Sequence, residues 1–229
     1  MIHSRKGGVG KSVIAKYLVD VLSMKSKKVL LLDFDDQNNA LLYAGIDTSA
    51  LHKHSLCSFD SYLQEECELD DAIRLEDEFH FMYVYDAINV DKILSSYDKP
   101  VDAFQYFMEP LLEKNYDYIV IDSPPSLSVL LNLLVIYAED IIIPVNCGIG
   151  SVKSIEKTLE LLTDSDLSSE KIKAIIPNMY EKNRVSTRWS IKMLNQLLIE
   201  QDLQHTLTQP ILKRESIKKS CEVGYDLSK

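Results

Sequence analysis

Residues 5–12 read Arg5-Lys6-Gly7-Gly8-Val9-Gly10-Lys11-Ser12. They follow a very short apolar start, residues 1–4. They precede a stretch, residues 13–23, in which Ile14, Leu18, Val21 and Leu22 fall on one helical face. Three of the chain's seven glycines are gathered here, which suits a loop that curls tightly and aims successive N–H groups inward. Such a nest, closed by a helix N-terminus, cradles phosphate groups. In this pattern the lysine, Lys11, reaches the outer phosphates and the hydroxyl of Ser12 ligates Mg²⁺. The strict pattern has glycine where Arg5 stands, so a bare motif search misses the loop. Its place between a strand and a helix carries the reading.

Outward from the loop, short apolar runs predict buried parallel strands at residues 29–32, 118–121, 141–145 and 172–176, with a further strand at 79–84. Helical spacing recurs at 101–112, 127–137, 151–162 and 187–199. Strands alternating with helices predict an α/β fold, a mainly parallel sheet with helices on both faces. Residues 47–78 are acidic and weakly periodic and predict short helices and loops. Two strands end in carboxylates: residues 29–35 deliver Asp33 and Asp35, and residues 118–122 deliver Asp122. The carboxyl edge of an open parallel sheet is where ligands bind. A single aspartate there reads as a helix cap. Three of them beside a lysine loop read as the second anchor for Mg²⁺.

The 229 residues suit a single α/β domain over 1–229. Apolar residues make up 46% and charged residues 26%, an ordinary globular balance. No apolar run approaches the length of a membrane span and no secretory signal is visible, so the expected place is the cytoplasm. Cys57, Cys67, Cys147 and Cys221 are scattered and read as reduced thiols in or near the core. The net charge of −10 argues against nucleic acid. It conceals a basic tail, however, because residues 182–229 hold nine Lys/Arg and five Asp/Glu, a local +4 against −14 elsewhere. Screening lets such a face act on its own. Trp189 is expected to be buried on its helix.

The motifs together resemble the ParA/MinD family of deviant Walker ATPases over nearly the whole chain. Lys6-Gly-Gly-Val-Gly-Lys-Ser12 is similar to that family's loop, which carries an extra lysine ahead of the glycines. Asp33-Phe-Asp35-Asp-Gln37-Asn-Asn39-Ala40 resembles its Asp-x-Asp-Pro-Gln-x-Asn-Ala segment, and Ile121-Asp122-Ser-Pro-Pro125 its Walker B strand. Ile143-Pro-Val145 resembles its following strand and Asn178-Met-Tyr180 the segment before its late helix. The resemblance implies ATP and Mg²⁺ as cofactors. It implies nucleotide contacts from Lys6, Gly7, Gly8, Val9, Gly10, Lys11, Ser12 and Val13, with Asn178 reading adenine and Leu212 and Lys213 flanking the ring. Ser12, Asp33 and Asp122 would serve the metal and Asp35 would orient the attacking water. Lys6 would cross to the ATP of a partner copy in a homodimer formed on ATP binding. The departures are Asp36 for a proline, Val13 for a second threonine, Leu212 for a proline and Arg5 for a glutamine. None removes a phosphate ligand.

Within the family, the chain lacks a basic amphipathic C-terminal stripe, cysteine ligands for a cluster and a terminal tyrosine cluster. The resemblance then implies a ParA/Soj-type ATPase for DNA partition, cytoplasmic and nucleoid-associated, with a ParB-like adaptor, no membrane anchor and no N-terminal helix-turn-helix extension. Non-specific DNA contacts are expected from Arg184, Arg188, Lys192, Lys213, Arg214, Lys218 and Lys219. The alternatives are a MinD-like positioning regulator at a membrane or envelope and a biosynthetic P-loop enzyme.

Overall fold

The computed structural model describes residues 1–53, 57–76, 78–148, 150–164 and 169–217. In chain order, α1 (Lys11–Met24) is followed by β1 (Val29–Asp33) and the short helices α2 (Asn39–Tyr43), α3 (Thr48–Lys53), α4 (Phe59–Leu63) and α5 (Leu69–Ala72). Then come β2 (Arg74–Glu76), β3 (Phe79–Tyr83), α6 (Ala87–Ser95), α7 (Pro100–Leu112), β4 (Tyr118–Asp122) and α8 (Val129–Tyr137). The chain continues through β5 (Ile141–Asn146), α9 (Ser151–Asp164), β6 (Ile172–Asn178) and α10 (Val185–Glu200).

Strands pair in the order β2-β3-β1-β4, and β5 pairs with β6. Ile2 joins the two sets through parallel bridges to Asp122 and Ile142. Residues 1–4 therefore run up the middle of the sheet and hand the chain to the phosphate loop at its carboxyl edge. Every pairing among the named strands is parallel except β2 with β3, an antiparallel edge. The all-buried Val-Leu-Leu-Leu-Asp run of β1 follows from cover on both faces. Leu30 and Leu32 pack with Phe104, Leu111 and Leu131 of α7 and α8 on one side. Val29 and Leu31 pack with Ala15 and Val19 of α1 on the other. Each such side chain withdrawn from water contributes about 1.5–3 kcal/mol.

The 47–78 region contains the expected short helices and also β2, an edge strand with an exposed Leu75. Trp189 departs from expectation. It is 54% exposed, because α10 packs through Thr187, Ser190, Leu194 and Leu198, and Trp189 lies off that stripe. The small Ser190 lets the helix approach closely, and its hydroxyl donates to the Gly148 carbonyl at 3.1 Å. Cys147 is buried, while Cys57 and Cys67 are half-buried against the core. Cys221 lies outside the described residues.

Candidate nucleotide-binding site

The phosphate loop leaves the sheet at Ser4 and closes on α1. Gly8 and Gly10 take left-handed φ values of +70° and +94°, which L side chains adopt only at a cost. Gly10 is also the N-cap of α1, without a side-chain cap and with no acidic residue in the first turn. The first N–H groups of a 14-residue helix thus face the loop unneutralised. Lys11, the first helical residue, is 7% exposed. Val9 is buried beneath the loop, Lys6, Ser12 and Val13 are half-buried, and Gly7 and Gly8 are exposed.

Asp33 and Asp122 are register partners at the ends of adjacent strands. Their surroundings differ. The Asp33 carboxylate accepts from Asp35 N–H at 3.3 Å, Ala40 N–H at 3.1 Å and Leu41 N–H at 3.3 Å. It therefore organises the turn that carries Asp35 and the start of α2. Burial, with Asp122 alongside, nonetheless holds its pKa well above the ordinary carboxylate value. Asp122 is fully buried, and neither of its oxygens has a hydrogen-bond partner in good geometry. Burial pushes its pKa up to about 7. Ser12 and Lys11, facing it from the first turn of α1, offset part of that rise, and Asp35 adds to it.

An orphaned buried carboxylate opposite a serine hydroxyl and an ammonium fits a hydrated divalent cation. Among the described residues no three His, Cys, Asp or Glu side chains converge to hold an ion by themselves. A cation there depends on oxygens that a nucleotide brings. Asp35 is half-buried at the rim. Burial raises its pKa, Lys11 partly opposes the rise, and its carboxylate accepts from Gln37 N–H at 3.2 Å.

Asn178 ends β6 beside the loop. Its Nδ2 donates to the Val9 carbonyl at 2.8 Å and its Oδ1 accepts from Met179 N–H at 2.9 Å. The amide expected to read adenine thus braces the phosphate loop, with one N–H left for a base. Leu212 bridges to Tyr180, and Lys213 N–H donates to the Tyr180 carbonyl at 3.0 Å, so residues 178–180 and 211–213 do come together.

Arg188, Lys192 and Arg214 are exposed, as are Arg184 and Lys213, which both approach Glu181, at 3.2 and 3.6 Å. Lys218 and Lys219 lie outside the described residues. Sequence reasoning missed His3 and Ser123, which share a buried hydrogen bond. Their only signal is a polar residue at a position where the sheet demands burial.

The family model described as an AAA domain matches residues 1–174 of the 229. Maintenance of carboxysome distribution protein A of Synechococcus elongatus is 26% identical over 98% of this chain and 89% of its own length. Sporulation initiation inhibitor protein Soj of Bacillus subtilis is 28% identical over 69% of this chain and 62% of its own length. A crystal structure described as a plasmid partition protein of Borrelia burgdorferi B31, bound to AMPPNP, superposes with a TM-score of 0.78. It is 26% identical and covers all of this chain and 90% of its own.

Proposed function

The chain belongs to the AAA-domain family and, within it, to the ParA/MinD group of P-loop ATPases, and from that premise we propose that it is a Mg²⁺-dependent partition ATPase that holds DNA as an ATP-bound homodimer. The observation that carries the reading is the orphaned Asp122 carboxylate facing Lys11 and Ser12 beneath the glycine loop. Bound with ATP, magnesium would neutralise charge on the outer phosphates. The chain's own groups do the rest. The loop amides and Lys11 hold the phosphates, Ser12 and Asp122 hold the cation and its water, and Asp35 at the rim orients the attacking water. Lys6, ahead of the glycines, reaches a second copy's nucleotide, which makes turnover depend on dimerisation. Asn178, with Leu212 and Lys213, borders the base.

DNA is engaged without sequence preference through Arg184, Arg188, Lys192, Lys213, Arg214, Lys218 and Lys219, and a ParB-like adaptor stimulates hydrolysis and release. The acidic remainder of the molecule keeps that contact local. The reading places the protein in the cytoplasm at the nucleoid. Among the described residues no helix is long and apolar enough to cross a membrane. Gel shifts with duplex DNA in ATP, in ADP and without nucleotide test the switch: binding confined to ATP is expected, and equal binding in all three refutes it. A second reading is positioning of a cargo other than DNA at a membrane or envelope. It draws on the relative named for carboxysome distribution, which matches 98% of this chain. ATP-dependent vesicle co-sedimentation without DNA affinity would favour it.

A further inference from the structure

His3 lies in the central segment between β4 and β5, where the sheet is covered on both faces. Its neighbours Met1 and Ile2 are buried apolar residues, as that position demands. An imidazole there is expensive to bury, and it is fully buried, as is Ser123. The imidazole Nδ1 and the Ser123 hydroxyl lie 2.8 Å apart, 120 residues apart in sequence. The backbone joins the same two segments: Ser123 N–H donates to the Ile2 carbonyl at 3.3 Å, and Ile2 N–H to the Ile121 carbonyl at 2.8 Å. Ser123 is thus gripped by consecutive residues, one through backbone and one through side chain. Directly before it stands Asp122, and directly after it a Pro-Pro pair. On the other side, His3 feeds the phosphate loop within two residues. It is close enough to Lys11 and Arg5 that, after burial itself, these cations are the next causes holding its pKa down to about 3. The imidazole is therefore neutral wherever the protein is folded and working. Its Nε2 has no partner.

We infer that His3 is a positioning residue. Its bond to Ser123 pins the strand end carrying Asp122 to the strand that launches the phosphate loop, fixing the carboxylate relative to Lys11 and Ser12. The inference rests on the nucleotide-binding reading of that site. A positioning role predicts a selective defect. Affinity for nucleotide without magnesium, which the loop supplies, stays unchanged. The additional affinity that magnesium confers, which needs Asp122 in place, falls.

The test is calorimetry of AMPPNP binding, with Mg²⁺ and with EDTA, on the full chain and on His3→Ala, Ser123→Ala, the double variant and His3→Asn. Amide exchange of residues 122–128 is measured in the nucleotide-free proteins alongside. Losing one buried hydrogen bond should cut the magnesium-dependent gain about three- to tenfold in each single variant. The double variant should be no worse than either single, and His3→Asn, which returns a nitrogen near the Nδ1 position, should recover most of the gain. Exchange at 122–128 should rise in both alanine variants.

An intact magnesium-dependent gain in His3→Ala overturns the inference, as do additive losses or equal losses with EDTA. Should His3→Ala fail to fold, Ser123→Ala and its exchange decide by themselves. Should the unmodified chain bind no nucleotide, the functional reading fails. Exchange at 122–128 then judges the latch, and unchanged protection in Ser123→Ala sinks it.

Discussion

Replacing Asp122 by asparagine should stabilise the nucleotide-free protein, and do so only as the pH rises. Burial disfavours the charged form and pushes the Asp122 carboxyl from the ordinary value of 3.8 up to about 7. A raised acid pKa means that the folded state binds a proton the unfolded chain has released between about pH 4 and 7. Below that window both states are protonated and nothing is lost. Across it stability declines, and above pH 7 the full cost stands. The cost of holding that carboxylate charged is about 4 kcal/mol as a ceiling. A domain of this size shifts by about 2–4 °C per kcal/mol, so the ceiling is about 8–16 °C. Asp33 in the adjacent register carries part of the same burden, and the swing due to Asp122 alone is nearer half of that. An orphaned amide also costs about 1–3 kcal/mol, but equally at every pH. The assay is thermal unfolding of magnesium-free, nucleotide-free protein from pH 4.5 to 8.5. The melting temperature of Asp122→Asn minus that of the parent should grow with pH, while magnesium-dependent AMPPNP binding is lost. A gap that stays constant, or shrinks as pH rises, refutes the picture of a destabilised carboxylate held for a cation.

Gly10→Ala should weaken nucleotide binding at least tenfold. The residue sits at φ +94°, and an added Cβ would come within 2.4 Å of Asn178 Nδ2, at about 1–2 kcal/mol for the backbone alone. Adding Asn178→Ala should restore part of the affinity, and strictly additive losses would show that the contact is irrelevant. Lys6→Ala should leave AMPPNP binding by the monomer intact while lowering turnover by on the order of 10³-fold, the scale of a trans-acting cation. Unchanged turnover across protein concentrations would instead favour a biosynthetic P-loop enzyme.

The parallel strands were legible because strands covered on both faces must be apolar throughout, and β1 is buried at every position. The loop was legible because left-handed backbone at Gly8 and Gly10 restricts composition. β2 was not, since an exposed three-residue edge strand leaves no periodicity to count. α6 escaped as well, although Asp86 caps it by accepting from Asn89 N–H, because a single cap residue reads equally as a turn. Trp189 misled for a different reason: side-chain size argues for burial, but which stripe of α10 faces inward is decided by the small Thr187 and Ser190. The three aspartates were placed correctly at one edge, but their division of labour depends on which backbone amides lie within reach. That is a property of the turn at 33–41, and no spacing rule supplies it.

The strand ends share one construction. Asp33 at the end of β1 holds the Asp35 turn through backbone amides. Asn178 at the end of β6 holds the Val9 carbonyl. His3, in the segment between β4 and β5, holds Ser123. Each is a buried polar side chain that contacts a neighbouring loop. Each is costly to bury and stays in place only while its partner is present. Because Asp33, Asn178 and His3 stand on three different segments of the sheet, the geometry of the phosphate loop and of Asp122 is set by sheet register. A one-residue slip of the central segment would turn His3 away and present a different face. The loop geometry is therefore set by the sheet, and Asp122, whose buried carboxylate lacks a hydrogen-bond partner in good geometry, is where the fold retains free energy for binding to release.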